Sequence, residues 1–215
     1  MSEEVSRLTP PRESFVFEHG EAMDHAFVSA YDHNRLHHAW LGGLLEHALT
    51  LVRVCVATAL FYPEVDPDLL VTGAILHDIG KIRELSWKSS FNYTLEGQMV
   101  GHISIAQGML REKVQALAPF PEKLRILVEH MILSHHGKYE FGSPKLPMFP
   151  EALLLHQLDD MDSKMQAMIT QLRSEAPGAV RDWTSYNRSL ERPLLRREEY
   201  WPGGGTADAQ QAGKP

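Results

Sequence analysis

Apolar residues recur at spacings of three and four along the longest segments of the chain, and no segment shows a dependable strand-like alternation. Between residues 36 and 61 this spacing is sustained, which is typical of one buried face of a helix. The stripe consists of Leu41, Leu44, Leu45, Ala48, Leu51, Val52 and Cys55. The pattern predicts an all-α fold.

Proline and aspartate residues mark where the other helices begin. Asp66-Pro67 and Pro121 are typical of a first helical turn, and Tyr62-Pro63 ends the first long helix. The predicted helices cover 21–31, 36–61, 66–80, 98–116, 121–134 and 151–173, with a loop over 86–97. We expect one domain over residues 15–200, a flexible leader over 1–14, and a Gly- and Ala-rich disordered tail over 201–215.

Charge and cysteine content exclude several classes of protein. The net charge of -7 argues against a broadly basic nucleic-acid-binding face. A polyanion would therefore have to be bound by a local group of residues or by metal ions. The single cysteine, Cys55, rules out an internal disulfide, and its apolar surroundings predict a buried side chain rather than a nucleophile. With no signal peptide and no membrane-length apolar run, we expect a cytoplasmic location without membrane contact.

The dipeptide His77-Asp78 carries the most specific chemical information. A neutral imidazole and a carboxylate are ligands that borderline divalent cations accept, and an aspartate beside a histidine can bridge to a second ion. Further ligand-type residues lie upstream and downstream at irregular spacing. These are His47, His102, His135, His136 and Asp159.

Each of these residues also has a reading that involves no metal. His47 projects from an apolar helical face, where a lone histidine is more often a hydrogen-bonded core residue. Glu46 beside it is a candidate for orienting a ligand or a water. Because several helices carry such a residue on an apolar face, the conjunction favours a metal site. The histidines without a motif around them are expected at the surface or in the core, and these are His19, His25, His33, His130 and His156.

Taken together, the motifs resemble the HD-domain metal-dependent phosphohydrolase superfamily. The quoted segments are HHAWLGGLLEH (37–47), HDIGK (77–81), EG (96–97), GHI (101–103), LSHHG (133–137), EFGSP (140–144) and DDMDSKM (159–165). Within that superfamily they are most similar to the catalytic domain of the YhaM-type 3′–5′ exoribonucleases. The resemblance implies a helical bundle with the metal site in its centre.

The resemblance also implies roles for individual residues. His47, His77, Asp78 and Asp159 match the ligands of a first ion, and His102, His135 and His136 match those of a second, with Asp78 as the bridge. Lys81 would lie near a phosphate oxygen. One or two ions of manganese, iron, cobalt or nickel are implied, and the expected chemistry is hydrolysis of a phosphoester by metal-activated water, with Asp78 and Lys81 in the catalytic centre.

The substrate stays open among three functions. The YhaM-type enzymes carry an N-terminal OB-fold, and the roughly 40 residues before the first motif are too few for that barrel. A phosphodiesterase acting 3′–5′ on short single-stranded RNA or DNA is the first reading. A phosphomonoesterase acting on small nucleotides and a non-catalytic nucleotide-binding module are the alternatives.

Aromatic and basic residues at 87–93, 138–139 and 145 could contact bases. Residues 181–201 are expected to pack structurally. A homo-oligomer is possible.

Overall fold

The computed structural model describes residues 43–86, 92–117, 119–174 and 182–201. The expected leader (1–14), the helix expected at 21–31, and all of the expected tail except Trp201 lie outside these residues. The chain forms two compact units, Met1–Asp162 and Ser163–Pro215. The expected single domain over 15–200 stays a prediction.

Helices dominate the described residues, as the apolar spacing predicts. They are α1 (Gly43–Ala59), α2 (Pro67–Leu76), α3 (Lys81–Glu84), α4 (Leu95–Val100), α5 (His102–Ala116), α6 (Glu122–Ser134), α7 (Pro150–Ser174) and α8 (Arg197–Tyr200). A 3-10 turn covers Tyr139–Phe141. The all-α prediction is confirmed, because the two sheets have only two strands each.

The core of the first unit lies between α1, α2, α5, α6 and the first part of α7. Helix α1 packs on α2, α2 on α6, and α5 on α6. The largest apolar side chains that are fully buried are Leu44, Leu51, Leu70, Met131, Ile132 and Leu155. Burying one side chain of this size stabilises the fold by about 1.5–3 kcal/mol, so this layer fixes the helices from which the polar site is built.

Local sequence explains where α2 begins and ends. Asp66 caps the helix, because its Oδ1 accepts hydrogen bonds from the backbone N–H groups of Asp68 and Leu69 at 2.9 and 3.2 Å. Pro67 stands in the first turn, as predicted. The predicted helix over 66–80 is interrupted, however, because residues 77–80 form a turn before α3. The His-Asp pair therefore lies in a turn between two helices.

The predicted helix over 98–116 is also divided in two. Thr94 caps α4 by accepting a hydrogen bond from Gly97 N at 2.8 Å, so this helix begins before the predicted start. Gly101 then has φ +76°, a conformation that other residues rarely adopt, and it separates α4 from α5. As a result His102 becomes the first residue of α5.

Two short antiparallel strand pairs within the described residues were not predicted. Strand β1 (Leu85–Ser86) pairs antiparallel with β2 (Asn92–Tyr93), where the sequence predicted a loop. In the second unit, β3 (Trp183–Asn187) pairs antiparallel with β4 (Arg192–Leu195). Both are too short for a period-two pattern to be read with confidence, which is why sequence analysis missed them.

Candidate metal centre

Five separate segments deliver the predicted ligands to one place. His47 comes from α1, and His77 and Asp78 come from the turn after α2. His102 begins α5, the pair His135-His136 follows α6, and Asp159 comes from α7. Gly80 helps bring these segments together, since a Cβ on it would lie 2.0 Å from the carbonyl oxygen of His102. Only glycine allows the turn that carries Asp78 to approach α5 this closely.

The first group of ligand atoms, called here the first cluster, consists of His47, His77 and Asp159. His47 Nε2 lies 3.2 Å from Asp159 Oδ1 and 3.3 Å from His77 Nε2. His77 Nε2 lies 3.8 Å from the same Asp159 oxygen. Two ligands bound about 2.1 Å from one ion lie about 3.0–3.5 Å apart, so the spacing is near that of a coordination shell.

The second cluster consists of His102, His135 and His136. One ring nitrogen of each lies within 4.8 Å of the corresponding atoms of the other two. His135 is 1% exposed, whereas His102 and His136 are only partly buried. In this cluster, His135 is therefore fully buried, while His102 and His136 lie on the side nearer to solvent.

Asp78 lies between the two clusters and directs one carboxylate oxygen toward each. Its Oδ2 is 3.4 Å from His77 Nε2 in the first cluster. Its Oδ1 is 3.5 Å from His102 Nε2 and 3.7 Å from His135 Nε2 in the second. The side chain has the placement expected of a carboxylate that bridges two ions.

Hydrogen bonding indicates that the second cluster suits a cation. Within the described part of the chain, Asp78 Oδ1, His102 Nε2 and His135 Nε2 are buried and have no hydrogen-bond partner. A buried polar atom without a partner destabilises a fold by about 1–3 kcal/mol. Three such atoms converge on one point, and a divalent cation would satisfy all of them at once.

The other ring nitrogen of each histidine is fixed by an acceptor. In the second cluster, Nδ1 of His135 and of His136 lies 2.8 Å from the carbonyl oxygens of Ile132 and Phe141, respectively. His77 Nδ1 lies 3.0 Å from Ala74 O in the same way. Because a carbonyl oxygen only accepts, Nδ1 carries the proton in each ring, which leaves the Nε2 lone pair directed at the centre.

Two buried carboxylates that sequence analysis did not single out orient the remaining histidines. Asp162 Oδ2 accepts from His47 Nδ1 at 2.8 Å. Glu84 Oε1 accepts from the backbone N–H of His102 at 3.0 Å and lies 3.3 Å from its Nδ1. Glu46, which the sequence suggested for this role, is exposed.

Only one of these two carboxylates left a signal in the sequence. Asp162 follows Asp159 by three residues, which places both on one face of α7. Glu84 reaches His102 only through the tertiary arrangement of α3 and α5, and no spacing rule predicts that contact.

The electrostatics of the two clusters differ. Burial alone would lower the pKa of His47, but its hydrogen bonds to Asp159 and Asp162 raise that pKa to about 9. In the second cluster, burial and the neighbouring His77 keep the pKa of His135 well below its usual value. Burial would raise the pKa of Asp78, but Lys81 and His77 hold it well below the ordinary range, so this carboxylate is ionised.

Lys81 lies at the edge of the centre. Its Nζ is 2.5 Å from Asp78 Oδ2, and its side chain is 26% exposed. The ammonium group therefore orients the central carboxylate, and the lysine side chain as a whole is partly exposed.

The histidines that were expected to have no ligand role belong to neither cluster in the described residues, and their rings contact backbone groups instead. His130 Nε2 accepts from Met148 N at 3.1 Å, and His156 is buried with its Nδ1 2.8 Å from His135 O. Cys55 is fully buried, and burial raises its pKa to about 12, which agrees with the predicted non-nucleophilic side chain. His19, His25 and His33 lie outside the described residues.

The sequence also matches a known protein family. The HD domain family matches residues 44–164, a segment that includes all the clustered ligands. The chain belongs to the HD-domain family. The resemblance of the motifs is thereby confirmed, and membership supports the coarse prediction of a metal-dependent hydrolase.

Several curated relatives carry the name 3′-5′ exoribonuclease YhaM. The protein from Bacillus subtilis is 43% identical over 163 residues, which cover 75% of this chain and 52% of the relative. The Geobacillus protein is 39% identical over 173 residues, covering 80% and 53%, and the Shouchella clausii protein is 39% identical over 175 residues, covering 80% and 54%. The chain thus spans about half the length of the curated relatives it matches.

No solved structure was found to match the chain. None of the helices in the described ranges is long and apolar enough to span a membrane.

Proposed function

We propose that the chain is a metal-dependent phosphodiesterase that removes nucleotides from the 3′ end of short single-stranded RNA or DNA. The observation that carries the proposal is that three buried ligand atoms without a hydrogen-bond partner face one another at the second cluster, namely Asp78 Oδ1, His102 Nε2 and His135 Nε2. The relatives named as 3′-5′ exoribonucleases support the choice of substrate class and polarity.

The proposed ligands are those predicted from the sequence. His47, His77 and Asp159 would hold one ion, and His102, His135 and His136 the other, with Asp78 shared between them. The histidine-rich ligand set favours manganese, iron, cobalt or nickel over magnesium, which prefers oxygen ligands. Ions bound there would acidify a water and neutralise charge on a phosphate, lowering the pKa of the water from about 15.7 toward 7.

The chain's own residues prepare the centre for that chemistry. The backbone carbonyls that accept from Nδ1 keep His77, His135 and His136 in the one tautomer that presents Nε2 as a ligand. Lys81 fixes the Asp78 carboxylate and, being partly exposed, could also contact a non-bridging phosphate oxygen. No side-chain nucleophile is needed for this reaction.

The test is an assay with manganese on a 5′-labelled RNA of about ten nucleotides, run beside a panel of mononucleotides. We expect a ladder of products shortened from the 3′ end, which Asp78→Asn abolishes. Asp68→Asn is a matched control, because Asp68 is exposed on α2. Phosphate release from mononucleotides with the RNA intact would contradict the proposal and favour the phosphomonoesterase alternative.

The same assay on DNA of matching sequence separates the two polymers. The predicted cytoplasmic location and the possible homo-oligomer stay predictions. Size-exclusion chromatography with light scattering would measure the oligomeric state.

A further inference from the structure

The turn over residues 138–142, called here the aromatic turn, is tied directly to the second cluster. The carbonyl oxygen of Phe141 accepts the hydrogen bond from His136 Nδ1 at 2.8 Å. The same backbone group that fixes the tautomer of a proposed ligand therefore places residue Phe141 directly next to His136.

Hydrogen bonds inside and below the aromatic turn hold it in one conformation. Phe141 N and Ser143 N both donate to Lys138 O, each at 3.1 Å. The buried Ser143 hydroxyl lies 3.1 Å from Leu133 O and 2.7 Å from Lys145 O, which joins the turn to the end of α6. The aromatic side chains are thus carried by a fixed backbone.

In spite of this anchoring, the rings do not pack into the core. Tyr139 is 64% exposed and Phe141 is 54% exposed. Exposed aromatic residues on a fixed turn contribute little to folding stability, so their exposure on a turn bonded to a proposed metal ligand calls for another explanation.

The charges around the turn suit a nucleotide. Lys138 Nζ lies 5.2 Å from the centroid of the Phe141 ring, within cation–π distance. Glu140 lies 3.8 Å from the same ammonium group and partly offsets it. Because the charges of Lys138 and Glu140 offset each other, the surface around the Phe141 ring has little net charge. Such a surface suits a nucleobase better than a phosphate.

We propose that Phe141 stacks against the unpaired base of the 3′-terminal nucleotide while the adjoining phosphodiester lies at the metal centre. Stacking is tolerant of base identity because each base has a π-face. This proposal deepens the function proposed above and rests on it for the position of the scissile bond. The aromatic turn would then bind the flexible strand through its last base.

The test compares two RNA oligonucleotides that differ only at the 3′ end, one with an ordinary terminal nucleotide and one with an abasic sugar. For Phe141→Leu we expect KM for the ordinary RNA to rise about tenfold, in the range of losing one stacked base. We expect kcat to change less than about twofold, and KM for the abasic RNA to stay unchanged. Phe141→Trp should restore the wild-type KM.

The control is Phe61→Leu, which also removes an exposed phenyl ring. Phe61 lies beyond the far end of α1, and His47 near its start is about 18 Å from that end at 1.5 Å per residue. This variant should match the wild type on both RNAs. The hydrogen bond that His136 Nδ1 donates to the backbone carbonyl of Phe141 does not involve the Phe141 side chain, so it should survive each substitution. Metal content is measured for every variant to check this.

An equal rise in KM on both RNAs, or no rise on either, would overturn the stacking proposal. A second readout needs no hydrolysis: 2-aminopurine at the 3′ end should lose fluorescence on binding to the wild type but not to Phe141→Leu. If the wild type quenches the probe and cleaves nothing, stacking stands and the proposed reaction fails. If RNA is shortened without quenching, the reaction stands and stacking fails.

Discussion

The two ligand clusters have similar residue types but opposite local chemistry. In the first cluster, His47 lies against Asp159 and Asp162, and these carboxylates favour its protonated form. In the second cluster, burial lowers the pKa of His135 and of His136, and neighbouring histidines lower it further, so the neutral forms of these two rings are favoured. His47 must therefore release a proton to accept a cation, whereas His135 and His136 already present lone pairs.

Asp78 joins these two environments, so substituting it should have the largest effect on both clusters. Replacing it by asparagine should remove the shared ligand and bring the loss of both ions, because neither cluster keeps a bridging charge. We expect an activity loss well beyond the 10- to 100-fold typical of residues that only orient a ligand. Metal analysis after gel filtration measures the loss, and an unchanged two ions per chain would refute the bridging role.

Substituting one histidine in each cluster should separate the two sites. We expect His77→Ala and His135→Ala each to lower the content from two ions per chain to about one, with most of the activity lost in both. His130→Ala serves as the control, because His130 contacts a loop backbone outside the clusters. Loss of both ions from either variant would mean that the clusters bind cooperatively rather than one ion each.

The orienting carboxylates give a smaller and more selective effect. Asp162→Asn should weaken binding in the first cluster and Glu84→Gln in the second, each by about 10- to 100-fold, because the tautomer of one histidine is no longer fixed. Equilibrium dialysis against manganese measures both affinities. If the two substitutions weaken the same site, the assignment of one carboxylate to each cluster is wrong.

The smallest expected effect concerns pH. The folded pKa of His47, about 9, lies above its ordinary value of 6.5, so protonation of His47 stabilises the metal-free fold. That contribution is complete below about pH 6.5 and is lost as pH rises through 9. Thermal melts with a chelator should show this decline, and His47→Gln should flatten it. A metal-free stability that rises over this range would contradict the electrostatics of the first cluster.

The helices and the side chains that cluster at the candidate centre could be predicted from the sequence because each leaves a local pattern. The apolar stripe around Leu44 and Leu51 predicted α1, and Asp66-Pro67 predicted the start of α2. The proposed ligands stood out because His47, Asp78 and Asp159 each lie in an apolar setting where an ordinary polar residue would be unfavourable.

What could not be predicted depends on tertiary geometry. Gly101 breaks a helix through its positive φ, although an isolated glycine in an apolar pattern is usually tolerated. Glu84 orients His102 from 18 residues away, and only the packing of α3 against α5 brings them together. The anchoring of the aromatic turn through Phe141 O is likewise a backbone contact that side-chain identity does not encode.

The most direct test of the account is a crystal structure with manganese, using anomalous scattering to locate the ions. We expect two peaks about 3.5–4 Å apart, one among His47, His77 and Asp159 and one among the second cluster. Each peak should lie within ligand distance of a different oxygen of Asp78. A single peak, or two peaks that do not share Asp78, would contradict the dinuclear centre.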